Sequence, residues 1–251
     1  MSGVVRVLIP VALGTNRDAD LAAAFEAAGA EADRVPLTAL RSGEKKLADY
    51  QILAVPGGFS YGDALGAGRL LGLDMSGWFS EQLREAVSAE MPVFGVCNGF
   101  QALVRAGLLP GDGDAVLAHN MNHRFECRWV TLEADGANSS PWLAGLDEPI
   151  RCPVAHGEGR FVAGDIDTIE DRNGVALRYL GDDHLPAGGA YPANPNGSMN
   201  DIAGITDPSG LVIGLMPHPE NHVFDRQDPL RGRFAGGNCL PLFKAGVDAV
   251  S

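Results

Sequence analysis

The sequence is poor in cysteine and aromatic residues, and it lacks a long uninterrupted apolar run. Only 4 of its 251 residues are cysteine, and no two of them form a CxxC pair, so we expect no disulfide framework. Its longest uncharged apolar stretches contain proline, glycine and polar residues. They fall short of the roughly 20 apolar residues that a membrane span needs. The N-terminal residues resemble a strand and include no cleavage site of small residues, so we expect a cytoplasmic protein.

Positive charge is scarce as well. The chain carries 19 Lys and Arg residues against 32 Asp and Glu residues, which gives a net charge of −13. No segment has the basic character that binding to a phosphate backbone requires, and this disfavours a nucleic-acid partner. With 45% hydrophobic and 20% charged residues, the composition is that of a globular protein. It excludes a disordered, collagen-like or coiled-coil chain.

The first 107 residues alternate between short apolar runs and helical patterns. The predicted strands are Val4–Ile9, Ala32–Leu37, Gln51–Val55 and Pro92–Val96. The predicted helices are Asp18–Ala28, Thr38–Asp49, Ser80–Glu90 and Asn98–Ala106. Short apolar strands that alternate with helices indicate βαβ units and a parallel sheet.

The second half is richer in strands. Its predicted elements are strands at Phe125–Glu133, Arg151–Ala155, Val175–Leu180, Ile202–Thr206 and Leu211–Met216, and a final helix at Leu240–Val250. Alternation along the first of these strands places Cys127 on one face with Phe125 and Trp129, and we expect Cys127 and Cys152 to point inward. Because no linker separates the halves, we predict one domain over residues 1–251.

The strongest sign of chemistry is Gly95-Val96-Cys97-Asn98-Gly99, at a predicted strand-to-helix junction. A nucleophile in such an elbow stands on a sharp turn, and close packing favours glycine two residues away on either side. The N-terminus of the following helix favours a thiolate at Cys97. The alternative is that Cys97 is a small buried residue and that the glycines serve packing alone.

Among the six histidines, His218 has the clearest partner. It lies in Met216-Pro217-His218-Pro219-Glu220 at the end of an apolar strand, and each proline favours an extended residue before it. Side chains two residues apart in an extended chain point the same way. His218 and Glu220 should therefore project together as a base and its orienting carboxylate. An exposed proline turn is the alternative.

Glycines also follow the predicted strand that ends at Val55, in the segment PGGFSYGD at residues 56–63. Glycine at the carboxyl edge of a parallel strand lets the backbone approach a ligand. We predict that the backbone N–H groups near Gly58 and of Asn98 form an oxyanion hole. The segment lacks the spacing of the phosphate-binding glycine motifs, and an ordinary turn between strand and helix is the alternative.

The spacing of His119, His123 and Cys127 would suit zinc if the three residues lay on one helix. Asparagines stand between the histidines, and strand-like alternation begins at Phe125. Both features disfavour a helix, so we predict no metal site in this chain.

Together these motifs resemble those of the class I glutamine amidotransferases. The extended pattern comprises PGGFSYGD at 56–63, GVCNGFQ at 95–101, AHGEGRF at 155–161, YPANPNGS at 191–198, and IAGI with GLMPHPE between 202 and 220. From about Val4 to Glu220 it is similar to the glutaminase subunits of phosphoribosylformylglycinamidine synthases. The resemblance implies an α/β fold, a single-domain, flavodoxin-like three-layer sandwich with a mostly parallel central sheet and extra strands in the second half.

By this resemblance, Cys97 would attack the side-chain amide of L-glutamine, His218 would transfer the proton, and Glu220 would orient His218. Gln101 would help to hold the substrate. The ammonia would pass to a separate synthetase subunit, which would use it with ATP and Mg²⁺ to convert formylglycinamide ribonucleotide in purine synthesis. The chain itself would need no cofactor. A small accessory subunit is a further candidate partner.

Two alternatives to this function stay open at this point. One is an amidotransferase subunit of a different synthase, and the other is an inactive regulatory or binding homologue. Because the triad is already complete, we predict that His156 and Glu158 shape the mouth of the active site or a partner surface. Asn221 and residues 225–238 depart from the usual family pattern.

Overall fold

The computed structural model describes residues 3–181, 183–229 and 238–251. Its strands are β1 (Arg6–Val11), β2 (Glu31–Pro36), β3 (Ile52–Val55), β4 (Val93–Val96), β5 (Ala115–His119), β6 (Glu126–Ala134), β7 (Ile150–His156), β8 (Glu158–Ala163), β9 (Val175–Leu180), β10 (Ile202–Thr206) and β11 (Val212–Leu215). Its α-helices are α1 (Asp18–Ala27), α2 (Leu37–Ser42), α3 (Arg69–Ser76), α4 (Ser80–Ser88), α5 (Asn98–Arg105), α6 (Ile166–Asp171) and α7 (Leu240–Asp248).

A nine-stranded sheet in the order β2-β1-β3-β4-β11-β10-β9-β6-β7 forms the centre of the protein. The neighbours from β2 to β11 are parallel, and those from β11 to β7 are antiparallel. Strands β5 and β8 form a separate antiparallel pair. The predicted α/β class, with a parallel first half and extra strands in the second half, is confirmed.

Helices cover both faces of the parallel strands. On one face, Phe94 of β4 packs against Phe25 of α1 and Phe243 of α7, with ring centroids 6.1 and 5.5 Å apart. The next residue of β4, Gly95, faces Leu103 of α5 on the opposite side, as alternation along a strand requires. The carboxyl ends of the parallel strands therefore lie along one edge of the sheet, between the helices of the two faces. Ligands of such sheets bind at this edge.

The structure differs from the predicted elements at several places. The predicted helix Thr38–Asp49 ends as α2 at Ser42, because Gly43 adopts a left-handed conformation (φ 76°) that caps it. Only a short 3₁₀ turn, Leu47–Asp49, follows. The short elements α3, β5, β8 and α6 were not predicted, and β5 and β8 pair with each other alone.

The prediction that Cys127 points inward is wrong. Cys127 is exposed, whereas Glu126, Val130 and Leu132 of the same strand are buried. The face of β6 that meets the core is thus the opposite one. The buried residue at position 126 is a glutamate, which accepts hydrogen bonds from the side chains of Asn122 and Arg128. Because a hydropathy pattern assigns an acidic residue to the exposed face, the pattern predicts the wrong face of β6.

Cys152 points inward, as predicted. Cys152 is fully buried, and burial raises the pKa of its thiol well above the usual value.

Of the atypical segment 225–238, residues 230–237 lie outside the described residues. Within the described ranges, no helix combines the length and the apolar character needed to cross a bilayer.

Candidate active site

Cys97 occupies the turn between β4 and α5, as the elbow motif predicts. Its backbone has φ 50° and ψ −107°, a conformation that residues with a side chain rarely adopt. A Cβ on Gly95 would lie 2.4 Å from Leu103 Cδ1. A Cβ on Gly99 would lie 2.0 Å from Val55 O. The two glycines therefore allow strand, turn and helix to pack so tightly that the thiol is held at the sheet edge.

His218 and Glu220 project together, as their spacing predicts. His218 Nδ1 lies 2.7 Å from Glu220 Oε1, and the two side chains are only 3% and 0% exposed, so the exposed-turn alternative is excluded. The imidazole also lies beside Cys97, and the charge on the sulfur raises the pKa of His218, while the thiol itself donates to Ala155 O at 3.8 Å. A Cβ on Gly57 would lie 2.8 Å from His218 Cε1 and 3.5 Å from Cys97 Cβ. The structure thus brings the three predicted residues together in the order Cys97, His218, Glu220.

The electrostatics of this trio favour a charged imidazole. Burial by itself lowers the pKa of His218, but the charges of Glu220 and Cys97 outweigh it and raise the pKa to about 10. Glu220 Oε2 has no hydrogen-bond partner among the described residues. The carboxylate therefore depends on His218 for compensation of its charge, and the pair holds the proton on the imidazole.

The loop after β3 passes beside the nucleophile. Gly58 has φ +129°, and a Cβ there would lie 2.8 Å from Asn16 N, so a side chain does not fit. Gly58 and Cys97 line the same cavity. The backbone N–H groups of Gly58 and Asn98 donate no hydrogen bond within the described residues. Both N–H groups are therefore without an acceptor among the described residues, and their role as oxyanion donors stays a prediction.

The side chain of Asn98 ties this loop to the elbow. Its Oδ1 accepts hydrogen bonds from Ser60 N at 3.2 Å and from Ser60 Oγ at 2.5 Å. Its Nδ2 donates to Asp63 Oδ1 at 3.1 Å and to Gln101 Oε1 at 3.2 Å. Asn98 is 2% exposed, so this network is shielded from water. Sequence reasoning missed the network, and the position of Ser60 and Asp63 within PGGFSYGD was its only signal.

Gln101 lies one helical turn beyond Cys97 and lines the same cavity. Its Nε2 donates to Glu158 O at 2.6 Å, and its Oε1 accepts from Asn98. Both ends of the amide are therefore engaged by the protein. One N–H and one lone pair stay available for a ligand.

His156 is buried in the wall of this cavity and is electrically neutral. Asn120 Nδ2 donates to two carbonyl oxygens, so Asn120 Oδ1 is the acceptor that faces His156 Nδ1 at 3.0 Å. The proton of His156 is thereby placed on Nδ1. Burial and the nearby charge of His218 lower the pKa of His156 to about 3. His156 is therefore not a second acid at neutral pH.

The cavity at Cys97 has a volume of about 190 Å³. Phe59 and Phe125 stack across its outer part with centroids 6.5 Å apart, and they are 44% and 54% exposed. Glu158 lines the same cavity and is joined to Gln101 of α5 through its carbonyl oxygen. The two aromatic rings therefore form the rim of a narrow cavity that leads to the thiol.

The fold separates His119, His123 and Cys127, whose spacing would suit zinc only on a helix. His119 ends β5 and Cys127 lies in β6, with an irregular turn between them that includes His123. The three side chains are thus not presented by one helix. Within the part of the chain that the structure describes, no three His, Cys, Asp or Glu side chains lie where they could hold a metal ion together.

Comparisons with known proteins agree with this geometry. The family described as CobB/CobQ-like glutamine amidotransferase domain matches residues 4–248. The phosphoribosylformylglycinamidine synthase subunit PurQ of Treponema denticola is 46% identical over 267 aligned residues, which cover 98% of both chains. The subunit of the same name from Dehalococcoides mccartyi is 42% identical and covers 97% of this chain and 96% of its own.

A similar protein is also found among solved structures. A chain in the structure of PurLQS from Thermotoga maritima superposes with a TM-score of 0.76 at 32% sequence identity. The alignment covers 99% of this chain and 100% of that one. The likeness thus extends over the whole fold and includes the elements that carry Cys97, His218 and Glu220.

Proposed function

The chain belongs to the CobB/CobQ-like glutamine amidotransferase family and, within it, to the PurQ subunits of phosphoribosylformylglycinamidine synthase, and we propose that it hydrolyses glutamine with Cys97, His218 and Glu220. The observation that carries this proposal is the position of His218, which is hydrogen-bonded to Glu220 and lies so close to Cys97 that the charge on the sulfur raises the pKa of the imidazole. This is the arrangement that an activated cysteine nucleophile requires.

In the first half-reaction, the Cys97 sulfur attacks the amide carbon of the glutamine side chain. The negative charge that develops on the amide oxygen is stabilised by the N–H groups of Gly58 and Asn98. The His218 imidazolium then donates its proton to the amide nitrogen, which leaves as ammonia. A γ-glutamyl thioester on Cys97 is the product of this step.

In the second half-reaction, neutral His218 takes a proton from water, and the resulting hydroxide attacks the thioester carbon. Collapse of the second tetrahedral intermediate breaks the carbon–sulfur bond and releases glutamate. Glu220 holds the imidazole in one orientation and stabilises its charged form in each cycle. Gln101 keeps the cavity wall in place and can offer its remaining N–H or lone pair to the substrate.

We further propose that the ammonia passes to a separate synthetase subunit, which binds ATP and Mg²⁺ and converts formylglycinamide ribonucleotide to the amidine. The similarity to PurQ subunits over the full chain supports this acceptor over that of a different synthase. A small accessory subunit is a further proposed partner. The complete trio at Cys97 disfavours an inactive homologue.

The test is Cys97→Ala in the reconstituted complex with the synthetase. Glutamine-dependent synthesis should disappear, whereas synthesis from added ammonium should persist, because Cys97 acts only in amide hydrolysis. Loss of both activities in an assembled complex would show a structural role instead. A glutamine analogue that alkylates Cys97 in the wild type, with no turnover of glutamine, would favour the inactive homologue.

A further inference from the structure

The turn between β1 and α1 lies against the loop that carries the proposed oxyanion donor at Gly58. Phe59 N donates to Gly14 O at 3.2 Å, and Tyr61 N donates to Leu13 O at 2.5 Å. Both hydrogen bonds join main-chain atoms, so they hold the backbone of the loop itself. The loop is therefore fixed by a segment of chain that precedes it by more than 40 residues.

Each of the two segments has a glycine at the place where it meets the other. A Cβ on Gly14 would lie 2.1 Å from Phe59 O, and a Cβ on Gly58 would lie 2.8 Å from Asn16 N. Both glycines have positive φ angles, 86° and 129°. Gly14 is exposed, so its lack of a side chain does not serve the hydrophobic core. It allows the two main chains to approach each other.

This contact restricts the direction in which the N–H group of Gly58 points. Glycine adopts many backbone conformations, so its direction depends on what holds the chain on either side. The chain before Gly58 is held by β3, which ends at Val55. The planar peptide unit after it is held by the hydrogen bond from Phe59 N to Gly14 O. The orientation of the Gly58 N–H group therefore depends on the position of Gly14.

The side chain of Thr15 keeps the turn in this shape. Thr15 Oγ1 accepts a hydrogen bond from Ala12 N at 3.2 Å, and Thr15 N donates to Ala12 O at 3.2 Å. These two bonds close the turn around Leu13 and Gly14, whose carbonyl oxygens bind the loop. Thr15 also forms an antiparallel bridge with Gly58. Its hydroxyl group is therefore linked to the loop through the shape of the turn.

We propose that Gly14 and Thr15 are positioning residues for the oxyanion donor at Gly58. The proposal rests on the proposed hydrolysis of glutamine at Cys97, in which this donor stabilises the charge on the amide oxygen. Neither residue is among the described residues that line the cavity at Cys97, so both act through the backbone of the loop. Disturbance of either should slow the chemical steps, which lowers kcat, and should leave KM and the reactivity of the thiol unchanged.

The experiment measures glutamine hydrolysis by the complex with the synthetase. Alkylation of Cys97 by iodoacetamide is followed in parallel by mass spectrometry, which separates it from the exposed Cys127. Gly14→Ala places a Cβ against Phe59 O and should lower kcat about 100-fold, as loss of an oxyanion donor does, with KM and the alkylation rate unchanged. Gly29→Ala is the matched control, because Gly29 also has a positive φ, 98°, and a Cβ there meets nothing within 4 Å. It should keep the wild-type kcat.

A milder pair of variants decides the matter if Gly14→Ala does not fold. Thr15→Val keeps the shape of the side chain but removes the acceptor for Ala12 N, and it should lower kcat about 10-fold. Thr15→Ser keeps the hydroxyl group and should restore most of the wild-type rate. A purely steric role of Thr15 would give the opposite order, since valine matches its volume better than serine does.

The proposal is overturned if Gly14→Ala and Gly29→Ala have equal kcat, or if Thr15→Val and Thr15→Ser do. A loss of alkylation in parallel with kcat also overturns it, because this shows damage to the elbow. A higher KM at unchanged kcat overturns it too, since this indicates a role in binding alone. A wild-type complex that hydrolyses no glutamine contradicts the proposed function itself and thus differs from all of these results.

Discussion

Replacement of Glu220 by glutamine tests the electrostatic part of the proposed mechanism. The substitution keeps the size of a fully buried side chain and its oxygen near His218 Nδ1, 2.7 Å away in the wild type. It removes the negative charge that opposes the effect of burial on the imidazole. Without that charge, burial dominates, and the pKa of His218 should fall from about 10 to its ordinary value or below.

The size of the effect follows from the proton on His218. At pH 8, an imidazole with a pKa of about 10 is almost fully protonated, whereas at an ordinary pKa near 6.5 the protonated fraction is roughly 30-fold smaller. Loss of the imidazolium-stabilising charge in the transition state adds to this. We therefore expect kcat for glutamine hydrolysis to fall about 10²- to 10⁴-fold.

The assay is glutamine hydrolysis by the assembled complex over a range of pH, with thermal unfolding of the chain measured alongside. The alkaline limit of kcat should shift to lower pH in Glu220→Gln. The chain should still fold, because the neutral imidazole that results leaves no unpaired charge in the interior, and thermal unfolding at each pH measures the stability that is lost with the raised pKa of His218. Glu81→Gln, exposed on α4, serves as the control. Wild-type rates in the assembled Glu220→Gln complex would remove this carboxylate from the mechanism.

The same pair predicts how stability depends on pH. Since the pKa of His218 is raised in the folded state, its contribution to stability is fully present below the unfolded pKa near 6.5 and is lost as pH rises through about 10. The stability advantage of wild type over Glu220→Gln should therefore shrink as pH rises towards about 10. A difference that persists unchanged above about pH 10 would contradict a charged His218 at neutral pH.

Three further predictions concern the walls around the thiol. Gly57→Ala places a Cβ 2.8 Å from His218 Cε1 and should lower kcat about 100-fold by displacing the imidazole ring. The control is Gly136→Ala, whose Cβ meets nothing within 4 Å and which should keep the wild-type rate. Equal rates for the two variants would show that the imidazole accommodates the extra methyl group without loss of activity. Asn98→Ala should lower kcat while iodoacetamide still alkylates Cys97, and a parallel loss of alkylation would mean that the elbow itself has collapsed. The isolated chain should hydrolyse glutamine slowly and gain activity with the synthetase and its nucleotide ligands. The reason is that Tyr61, Asp63 and Leu65 of the adjoining loop all adopt left-handed conformations (φ 55°, 52° and 67°), which a partner can stabilise. Equal, high rates with and without the synthetase would refute this.

The sequence was sufficient for those parts of the site that local geometry determines. The elbow depends on two glycines whose Cβ atoms would collide with Leu103 and Val55, and a strict G-x-C-x-G spacing reveals such a requirement. The partnership of His218 and Glu220 depends on the extended backbone that two prolines favour. Each feature depends on five consecutive residues, so both can be predicted from the sequence.

Features that depend on contacts between distant residues were not predictable in the same way. The inward face of β6 was assigned incorrectly, because buried Glu126 is satisfied by side chains that a hydropathy pattern does not consider. The tautomer of His156 follows from Asn120, which lies 36 residues earlier in the chain. Strands β5 and β8 are only five and six residues long and pair with each other alone, and periodicity does not assign such short runs unambiguously.

The two classes of feature have separate roles in the proposed reaction. The elbow holds the sulfur by the packing of its own strand and helix, whereas the proposed oxyanion donor at Gly58 belongs to a loop that reaches the elbow through the Asn98 side chain. Reactivity of the thiol and stabilisation of the oxyanion can therefore change independently. A partner that presses on the loop would alter turnover of glutamine while the nucleophile stays as reactive as before. Such a division gives a separate subunit a physical means to hydrolyse glutamine only when its synthetase can use the ammonia.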